Sequence, residues 1–249
     1  MTANTNRLIY VPGAYARKRP DAAQIADKYI KDWVKKQLQT KPAKFEPVKI
    51  PPAICFSRKI GSGALEIADI LAEKLQYRVA DRELLDYMAK DAEISKDTLA
   101  FFDERYPGKR SELASRLFGE RSFIMSDYIQ NFVSAVFTFA DMGSTVFVGR
   151  GIHLFLPRDR VLAVRIIASN HTRVSRLAKI LNLEAKDVQE VLNQVDREQD
   201  EFFKKAFGQK EASPYEFDIF INCDFIASPP GAAEIVARAF QEKFPVGSF

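Results

Sequence analysis

The stretch from Ala53 to Leu75 constrains the fold most, because a compact glycine turn joins a short apolar run to an amphipathic segment. The run from Ala53 to Phe56 is too short for a helix and follows Pro52, so it predicts a buried strand. From Ala64 to Leu75 the apolar residues recur at helical spacing, which predicts a helix. A strand, a glycine turn and a helix in that order are typical of loops that hold phosphate with backbone N–H groups and a helix N-terminus.

The turn itself reads Ser57-Arg-Lys-Ile-Gly-Ser-Gly63, and the usual phosphate-loop pattern would continue with Lys and Ser or Thr, where this chain has Ala64 and Leu65. A phosphate loop and a plain tight turn therefore both stay open from this stretch alone. Arg58 and Lys59 either supply the positive charge that the loop lysine normally brings or form a solvated pair. On the phosphate-loop interpretation, the binding set is Ser57, Arg58, Lys59, Gly61, Ser62 and Gly63.

Composition narrows the class of protein. The chain has 249 residues, of which 47% are hydrophobic and 28% charged, so a sizeable core is available. It has no apolar run near the roughly 20 residues that span a bilayer, and its first residues lack a secretory signal, so we expect a cytoplasmic protein without a membrane partner. The net charge of +4 suits a phosphate-bearing ligand, but no dense basic stripe with interleaved aromatic residues indicates nucleic-acid binding. Cys55 and Cys223 lie in predicted strands, where buried free thiols are expected.

The first 50 residues differ from the rest and predict an N-terminal extension to a domain at residues 51–249. A short strand is predicted at residues 8–11, followed by a basic loop at 13–20. From Asp21 to about Gln39 the apolar residues fall on one helical face, and residues 40–52 are a proline-rich linker. This helix docks either on the chain's own core or on a partner.

Beyond the glycine turn, predicted strands alternate with predicted helices. The further strands are expected at 77–80, 145–148, 162–168 and 217–222. The further helices are expected at 81–90, 94–105 with Ser95 as its cap, 111–118, 122–142, 172–180, 184–207 and 229–244. This alternation predicts a parallel, doubly wound α/β sheet covered on both faces. The segment at 122–142 is apolar all round, which predicts burial on more than one face, in a core or a subunit interface.

Arginines follow the predicted strands at the edge where such sheets bind ligands. Arg150 stands between two glycines directly after a strand, where its guanidinium could grip a phosphate or serve a structural role. Arg173 and Arg176 are three residues apart on a predicted helix and therefore face the same way. Phosphoryl transfer uses such charge, although a solvated helix face is the alternative.

Other candidates are weaker. Asp81 and Asp103 could act on phosphate or a metal, but lone carboxylates indicate little. His153 and His171 lack metal-ligand spacing; we expect a structural loop residue and a residue near a helix start. The charged stretch at 196–205 predicts either a mobile lid carrying Arg197 and two lysines or an exposed helix.

The order of these motifs resembles the cytidylate-kinase-like family of P-loop nucleoside monophosphate kinases over about residues 53–240. The resemblance rests on five motifs: Ser57-Arg-Lys-Ile-Gly-Ser-Gly63, Asp81-Arg-Glu-Leu-Leu85, Val146-Phe-Val-Gly-Arg-Gly151, Arg173 with Arg176, and Phe217-Asp-Ile-Phe-Ile-Asn222. It implies a P-loop kinase fold with a helical insertion and an arginine-rich lid. It also implies ATP with Mg²⁺ as phosphoryl donor and a pyrimidine monophosphate such as CMP as acceptor.

Carried onto this chain, the resemblance implies that Gly61 to Gly63 hold the donor phosphates and that Arg173 and Arg176 stabilise the transferring group. Arg150 would hold the acceptor phosphate, with Asp81 and Arg82 as further acceptor-side residues. Three positions depart from the family's pattern: Ala64 replaces the loop lysine, Gly151 an aspartate that helps bind the nucleoside, and Gln199 a frequent lid arginine. These departures keep an alternative open, a nucleotide- or phosphate-sensing module that acts through a partner or as a homo-oligomer.

Overall fold

The computed structural model describes residues 21–39, 50–105, 127–149, 151–207 and 213–245. Within them the chain forms five strands, β1 Ala53–Arg58, β2 Arg78–Asp81, β3 Thr145–Gly149, β4 Val161–Ile167 and β5 Ile219–Asn222. The helices there are α1 Ala22–Gln39, α2 Ala64–Leu75, α3 Arg82–Lys90, α4 Ala92–Arg105, α5 Asp127–Asp141, α6 Asn170–Leu181, α7 Ala185–Phe207 and α8 Pro229–Lys243. The elements predicted at 8–11, 13–20 and 111–118, the start of the segment at 122–142, and residues 40–49 of the linker lie outside the described residues.

The five strands form one sheet in the order β2-β3-β1-β4-β5, and every neighbouring pair is parallel. The predicted parallel sheet is therefore confirmed. After β1 the chain moves to the β2 edge, returns through β3, and then continues on the other side with β4 and β5. β1 thus lies at the point where the strand order reverses, and the loop after it opens into the crevice where such sheets bind ligands.

Both faces of the sheet are covered, because alternate residues of each strand enter different apolar clusters. Ile54 and Phe56 pack with α2 and α8 on one face. Ala53 and Cys55 pack on the other face with α1, α3 and α5. Burial raises the pKa of the Cys55 thiol, which makes it an inert core residue as expected.

The surroundings of α1 and α5 can be compared with what the sequence predicts for these two helices. In α1, Ile25, Tyr29 and Ile30 pack against the cluster that also holds α3 and α5, so this helix docks on its own chain. In α5, every residue from Phe132 to Ala140 is buried, which confirms the expected burial on more than one face.

One predicted cap is wrong. Ser95 lies inside α4, and the helix instead begins after Asp91, whose carboxylate accepts a hydrogen bond from the Ile94 N–H at 2.9 Å. Asp91 stands directly before the first helical residue and is at least as good a cap as serine, so the cap lies four residues earlier than predicted.

Candidate functional site

The turn between β1 and α2 has the geometry of an anion-binding loop. Gly61 and Gly63 adopt left-handed backbone angles, with φ of +82° and +86°, which glycine reaches without the strain that a side chain would bring. Between them Ser62 is only 3% exposed, and among the described residues its Oγ finds no hydrogen-bond partner. A buried hydroxyl without a partner costs stability. Beside the N-terminus of α2, a phosphate oxygen is the kind of group that would satisfy it.

The first three residues of the stretch from Ser57 to Gly63 each have different surroundings. Ser57 lies on the sheet face opposite α2, where its Oγ accepts a hydrogen bond from Arg165 Nη1 at 2.7 Å. Arg58 is buried at the end of β1, so it and Lys59 are not a solvated pair. The Lys59 ammonium, which is part-exposed, lies 3.8 Å from Asp196 on α7.

The hairpin formed by α6 and α7 packs directly on the turn. Ile60 enters a small apolar cluster with four residues of the hairpin, Val174, Leu177, Val188 and Leu192. A Cβ at Gly61 would lie 3.1 Å from the Arg173 carbonyl oxygen, so only glycine allows this close approach. Farther along α7, Phe203 joins the core cluster on the sheet face opposite α2. The predicted lid helix is therefore anchored at both of these points.

Arg173, one of the two arginines expected to act in catalysis, is a buried link between hairpin and turn. Its Nε donates to the Ile60 carbonyl oxygen at 2.7 Å, and its two terminal nitrogens donate to the two carboxylate oxygens of Asp196 at 2.8 Å each. This bidentate geometry is the strongest form of arginine–carboxylate contact. The structure thus gives Arg173 a positioning role at the base of the loop, and its expected contact with a transferring group stays a prediction.

Arg176 lies one helical turn farther along α6, over the opening of the turn. A Cβ at Gly63 would lie 3.1 Å from the guanidinium carbon of Arg176. Its Nη2 donates to Glu66 Oε2 in the first turn of α2. The structure therefore brings Arg176 and the glycine turn together. Ala64, the residue after Gly63, is buried in the core.

Of the acceptor-side residues, Asp81 and Arg82 lie where β2 ends and α3 begins. The Asp81 carboxylate accepts a hydrogen bond from the Leu84 N–H at 3.0 Å and so caps α3. Arg82 pairs with Asp86 at 3.2 Å, and Asp86 accepts a second hydrogen bond from the Tyr128 hydroxyl at 2.5 Å. Burial and the charge of Asp86 raise the pKa of Tyr128, so this hydroxyl keeps its proton. Arg150 lies outside the described residues.

Behind Asp81, a second carboxylate lies on α2. Burial, followed by the charges of Asp81 and Glu73, raises the pKa of Asp69 to about 7. Two acids of α2 therefore differ in their electrostatic surroundings: Glu66 pairs with an arginine, whereas the charges of two other carboxylates raise the pKa of Asp69.

Three residues of the site were not found by sequence reasoning: Glu66, Asp196 and Arg165. Glu66 belongs to the helix predicted from Ala64 to Leu75 and Asp196 to the charged stretch at 196–205, and the sequence alone indicates no contact of either with the two arginines of α6. Arg165 carried a usable signal, because a charged residue inside a β-branched buried strand needs partners. It meets Ser57 on one side, and its guanidinium lies 5.8 Å from the ring centre of Phe217 on the other.

The remaining candidates are placed as follows. His153 is buried, and its Nε2 lies 3.4 Å from Glu216 Oε2. His171 is the second residue of α6, near the helix start as expected. Gln199 is buried in α7, and in the described part of the chain its Oε1 has no hydrogen-bond partner. Within the described residues, no group of three His, Cys, Asp or Glu side chains is placed to bind a metal ion. No helix among those residues is long and apolar enough to cross a membrane.

Comparisons with known proteins show what the chain is similar to. The family model described as "Cytidylate kinase-like family" matches residues 53–224. Among solved structures, an uncharacterized protein from Eubacterium ventriosum is 20% identical with a TM-score of 0.57, over 77% of this chain and 98% of that one. A shikimate kinase from Bacteroides thetaiotaomicron is 17% identical with a TM-score of 0.37, over 77% and 96%. A comparison with curated proteins finds no match.

Proposed function

Because the chain belongs to the cytidylate kinase-like family and has its P-loop kinase fold, we propose that it transfers the terminal phosphoryl group of ATP to a nucleoside monophosphate. One observation carries this proposal. The left-handed turn at Gly61 and Gly63 presents the buried Ser62 hydroxyl at the N-terminus of α2, at the switch point of a parallel sheet. CMP is the acceptor that we expect.

The residues at the turn fit the phosphates of a nucleotide. Backbone N–H groups at a helix N-terminus favour anions, and Ser62 Oγ offers one further donor. Mg²⁺ bound with ATP would neutralise part of the charge on the phosphates, which themselves commonly supply its ligands. Leu65 stands where a loop hydroxyl would contact the metal, so we assign no side chain of the loop to it.

In the proposed reaction, an oxygen of the acceptor phosphate forms a bond to the terminal phosphorus of ATP. The bond between that phosphorus and the oxygen bridging to ADP breaks, and ADP leaves. Such a transfer depends on positioning and on charge stabilisation more than on acid–base chemistry. We propose that Arg150, Arg82 and Asp81 bind the acceptor, and that Arg176 stabilises the phosphates with Arg173 holding the hairpin in place.

A second function, phosphate or nucleotide sensing without transfer, is favoured by a specific observation. The guanidinium groups of Arg173 and Arg176, although they lie at the turn, are already paired with the carboxylates of Asp196 and Glu66. Together with Ala64, Gly151 and Gln199, these ion pairs support a protein that binds ATP and passes the signal to a partner. Homo-oligomerisation is a route for that signal.

An ADP-release assay over a panel of nucleoside monophosphates tests the proposal. We expect turnover with CMP or another pyrimidine monophosphate, and loss of turnover in Gly63→Val, whose side chain would collide with the Arg176 guanidinium. Circular dichroism would confirm that this variant is folded, and equal activity in it would reveal a contaminating kinase. ATP binding without turnover on any acceptor would favour the sensor, whereas no ATP binding would contradict both functions.

The expected setting is the cytoplasm, with a small-molecule nucleotide as the ligand and neither nucleic acid nor a membrane as partner. Sedimentation of the full chain tests the oligomeric alternative, since the sensor is expected to change its assembly when ATP is added. We expect the kinase to keep one assembly state throughout.

A further inference from the structure

The phosphate loop lacks its usual cation, and the structure shows what stands in that region instead. Ala64, at the position of the missing lysine, is 2% exposed and belongs to the apolar cluster between the sheet and α2. The three heavy atoms nearest to a Cβ position at Gly63 all belong to the Arg176 guanidinium, at 3.1, 3.3 and 3.4 Å. A cation from α6 therefore lies against Gly63, the residue directly before the position of the missing lysine.

Three other cations near the turn, among the residues that the structure describes, have different surroundings. Arg58 is buried at the end of β1, and the Lys59 ammonium is near Asp196. Arg173 uses its Nε on the Ile60 carbonyl oxygen and its terminal nitrogens on Asp196. Arg176 differs from Arg58 and Arg173 because its side chain is 27% exposed and its ion-pair partner Glu66 is itself 36% exposed. It differs from Lys59, which is also part-exposed, because its guanidinium lies against Gly63.

We propose that Arg176 replaces the missing loop lysine and that Glu66 occupies its guanidinium until a phosphate group takes it over. The inference rests on the proposed phosphate binding at the turn. Glu66 lies in the first turn of α2, so its carboxylate occupies the electropositive end of that helix, where a phosphate would also be favoured. Phosphate binding then exchanges one anion for another at Arg176.

The exchange is physically reasonable because the resting pair is weak. A part-exposed ion pair contributes well below the strength of a buried, bidentate one. A polyphosphate carries more charge than a carboxylate and can also use the N–H groups of the turn and Ser62, so it competes for Arg176 with an advantage. The alternative is that Arg176 and Glu66 simply tether α6 to α2.

Calorimetric titration of the full chain with ATP, and separately with inorganic triphosphate, separates these alternatives. Arg176→Ala should weaken the binding of both ligands by about ten- to a hundred-fold, the scale of a lost charged hydrogen bond. Arg176→Lys should restore part of the affinity, since it returns the charge without the planar fork. Glu66→Gln should tighten binding by about two- to five-fold, because the competing anion is removed.

Arg238→Ala is the matched control, because Arg238 forms an exposed pair with Glu242 on α8, away from the turn. It should bind both ligands as the wild type does. Thermal unfolding of each variant shows whether it is folded during the titration. The tether alternative predicts lower unfolding temperatures for Arg176→Ala and Glu66→Gln with unchanged dissociation constants.

The outcomes also separate this inference from the function on which it rests. If the wild type binds ATP and Arg176→Ala binds it equally well, the lysine replacement is wrong and the proposed function stands. If Glu66→Gln weakens binding, Glu66 positions Arg176 instead of holding it in reserve, and the exchange is wrong. If the wild type binds neither ATP nor triphosphate, the inference and the proposed function both fail.

Discussion

Two neighbouring parts of the candidate site use the same chemistry in opposite ways. At the hairpin root, defined by Arg173, Asp196 and Ile60, the arginine side chain is 4% exposed and makes three hydrogen bonds. At the loop mouth, defined by Arg176, Glu66 and Gly63, the arginine side chain is 27% exposed and meets one carboxylate. The two arginines are one turn apart on α6, so burial and partner geometry alone separate them.

This difference indicates how the loop can be rigid and responsive together. A buried bidentate pair is costly to break, because either partner left behind is a charge without compensation. A part-exposed pair is readily exchanged, because water solvates both partners when it opens. We therefore assign stability to the hairpin root and ligand response to the loop mouth.

The largest predicted effect breaks the hairpin root. Arg173→Ala should lower the free energy of unfolding by about 3 to 5 kcal/mol, because it leaves Asp196 and the Ile60 carbonyl without their buried partner. Arg176→Ala, its matched control three residues away, should cost less than about 1 kcal/mol. Guanidinium chloride unfolding measures both values. Equal losses in the two variants would mean that the hairpin root and the loop mouth do not differ in stability.

Substitution of either glycine of the turn should lower the free energy of unfolding by a smaller amount. Gly61 lies against the hairpin root, and Gly63 belongs to the loop mouth. Gly61→Ala should lower the free energy of unfolding by about 2 kcal/mol, since a left-handed residue with a side chain is strained and its Cβ would approach the Arg173 backbone oxygen. Gly63→Ala should cost about 1 kcal/mol, because its Cβ would meet only the flexible end of Arg176.

The same unfolding experiment, repeated with ATP present, checks the assignment of roles. Gly63→Ala should reduce the stabilisation by ATP more than Gly61→Ala does, because it displaces Arg176 from the mouth. A larger reduction in Gly61→Ala would place the response at the hairpin root instead.

Most of the fold could be predicted from the sequence, and particular segments show why. The buried strands at Ala53–Arg58 and Val161–Ile167 are short apolar or β-branched runs, and α2 keeps its helical period from Ala64 to Leu75, so local pattern and tertiary structure agree. The error at Ser95 arose because two residues that cap helices well, Asp91 and Ser95, stand four positions apart and pattern alone does not rank them.

The site was less readable, because its contacts join residues distant in sequence. The sequence predicted the glycine turn and both arginines of α6. It did not predict that Arg176 pairs with Glu66 or that Arg173 pairs with Asp196, since a partner's identity depends on how α6 packs over α2 and α7. The contact between Arg165 and Ser57 depends on the register of β1 and β4, which the sequence does not specify. Periodicity assigns a side chain to a face and leaves its partner undetermined.

The last predicted effect extends the comparison along α2, from an acid that pairs with an arginine to an acid near other acids. Asp69 lies three residues after Glu66, and its pKa is raised from the ordinary 3.8 to about 7 by burial and then by the charges of Asp81 and Glu73. Between these two pH values the folded state holds a proton that the unfolded state releases. The contribution of Asp69 to the free energy of unfolding should therefore fall as pH rises from about 4 to about 7, and level off above it.

Asp69→Asn should remove this contribution, so that the variant is more stable than the wild type at pH 8 by about 1 to 2 kcal/mol after allowance for solvent screening. At pH 4 the two proteins should be nearly equal, because the wild-type carboxyl is then protonated in the folded state. Glu66→Gln is the control on the same helix face, and it should be slightly less stable than the wild type at pH 8, since it loses its arginine partner. A stabilising Glu66→Gln together with a neutral Asp69→Asn would reverse the contrast, because it would mean that the strain on α2 lies at the loop mouth and that Arg176 does not compensate the charge of Glu66.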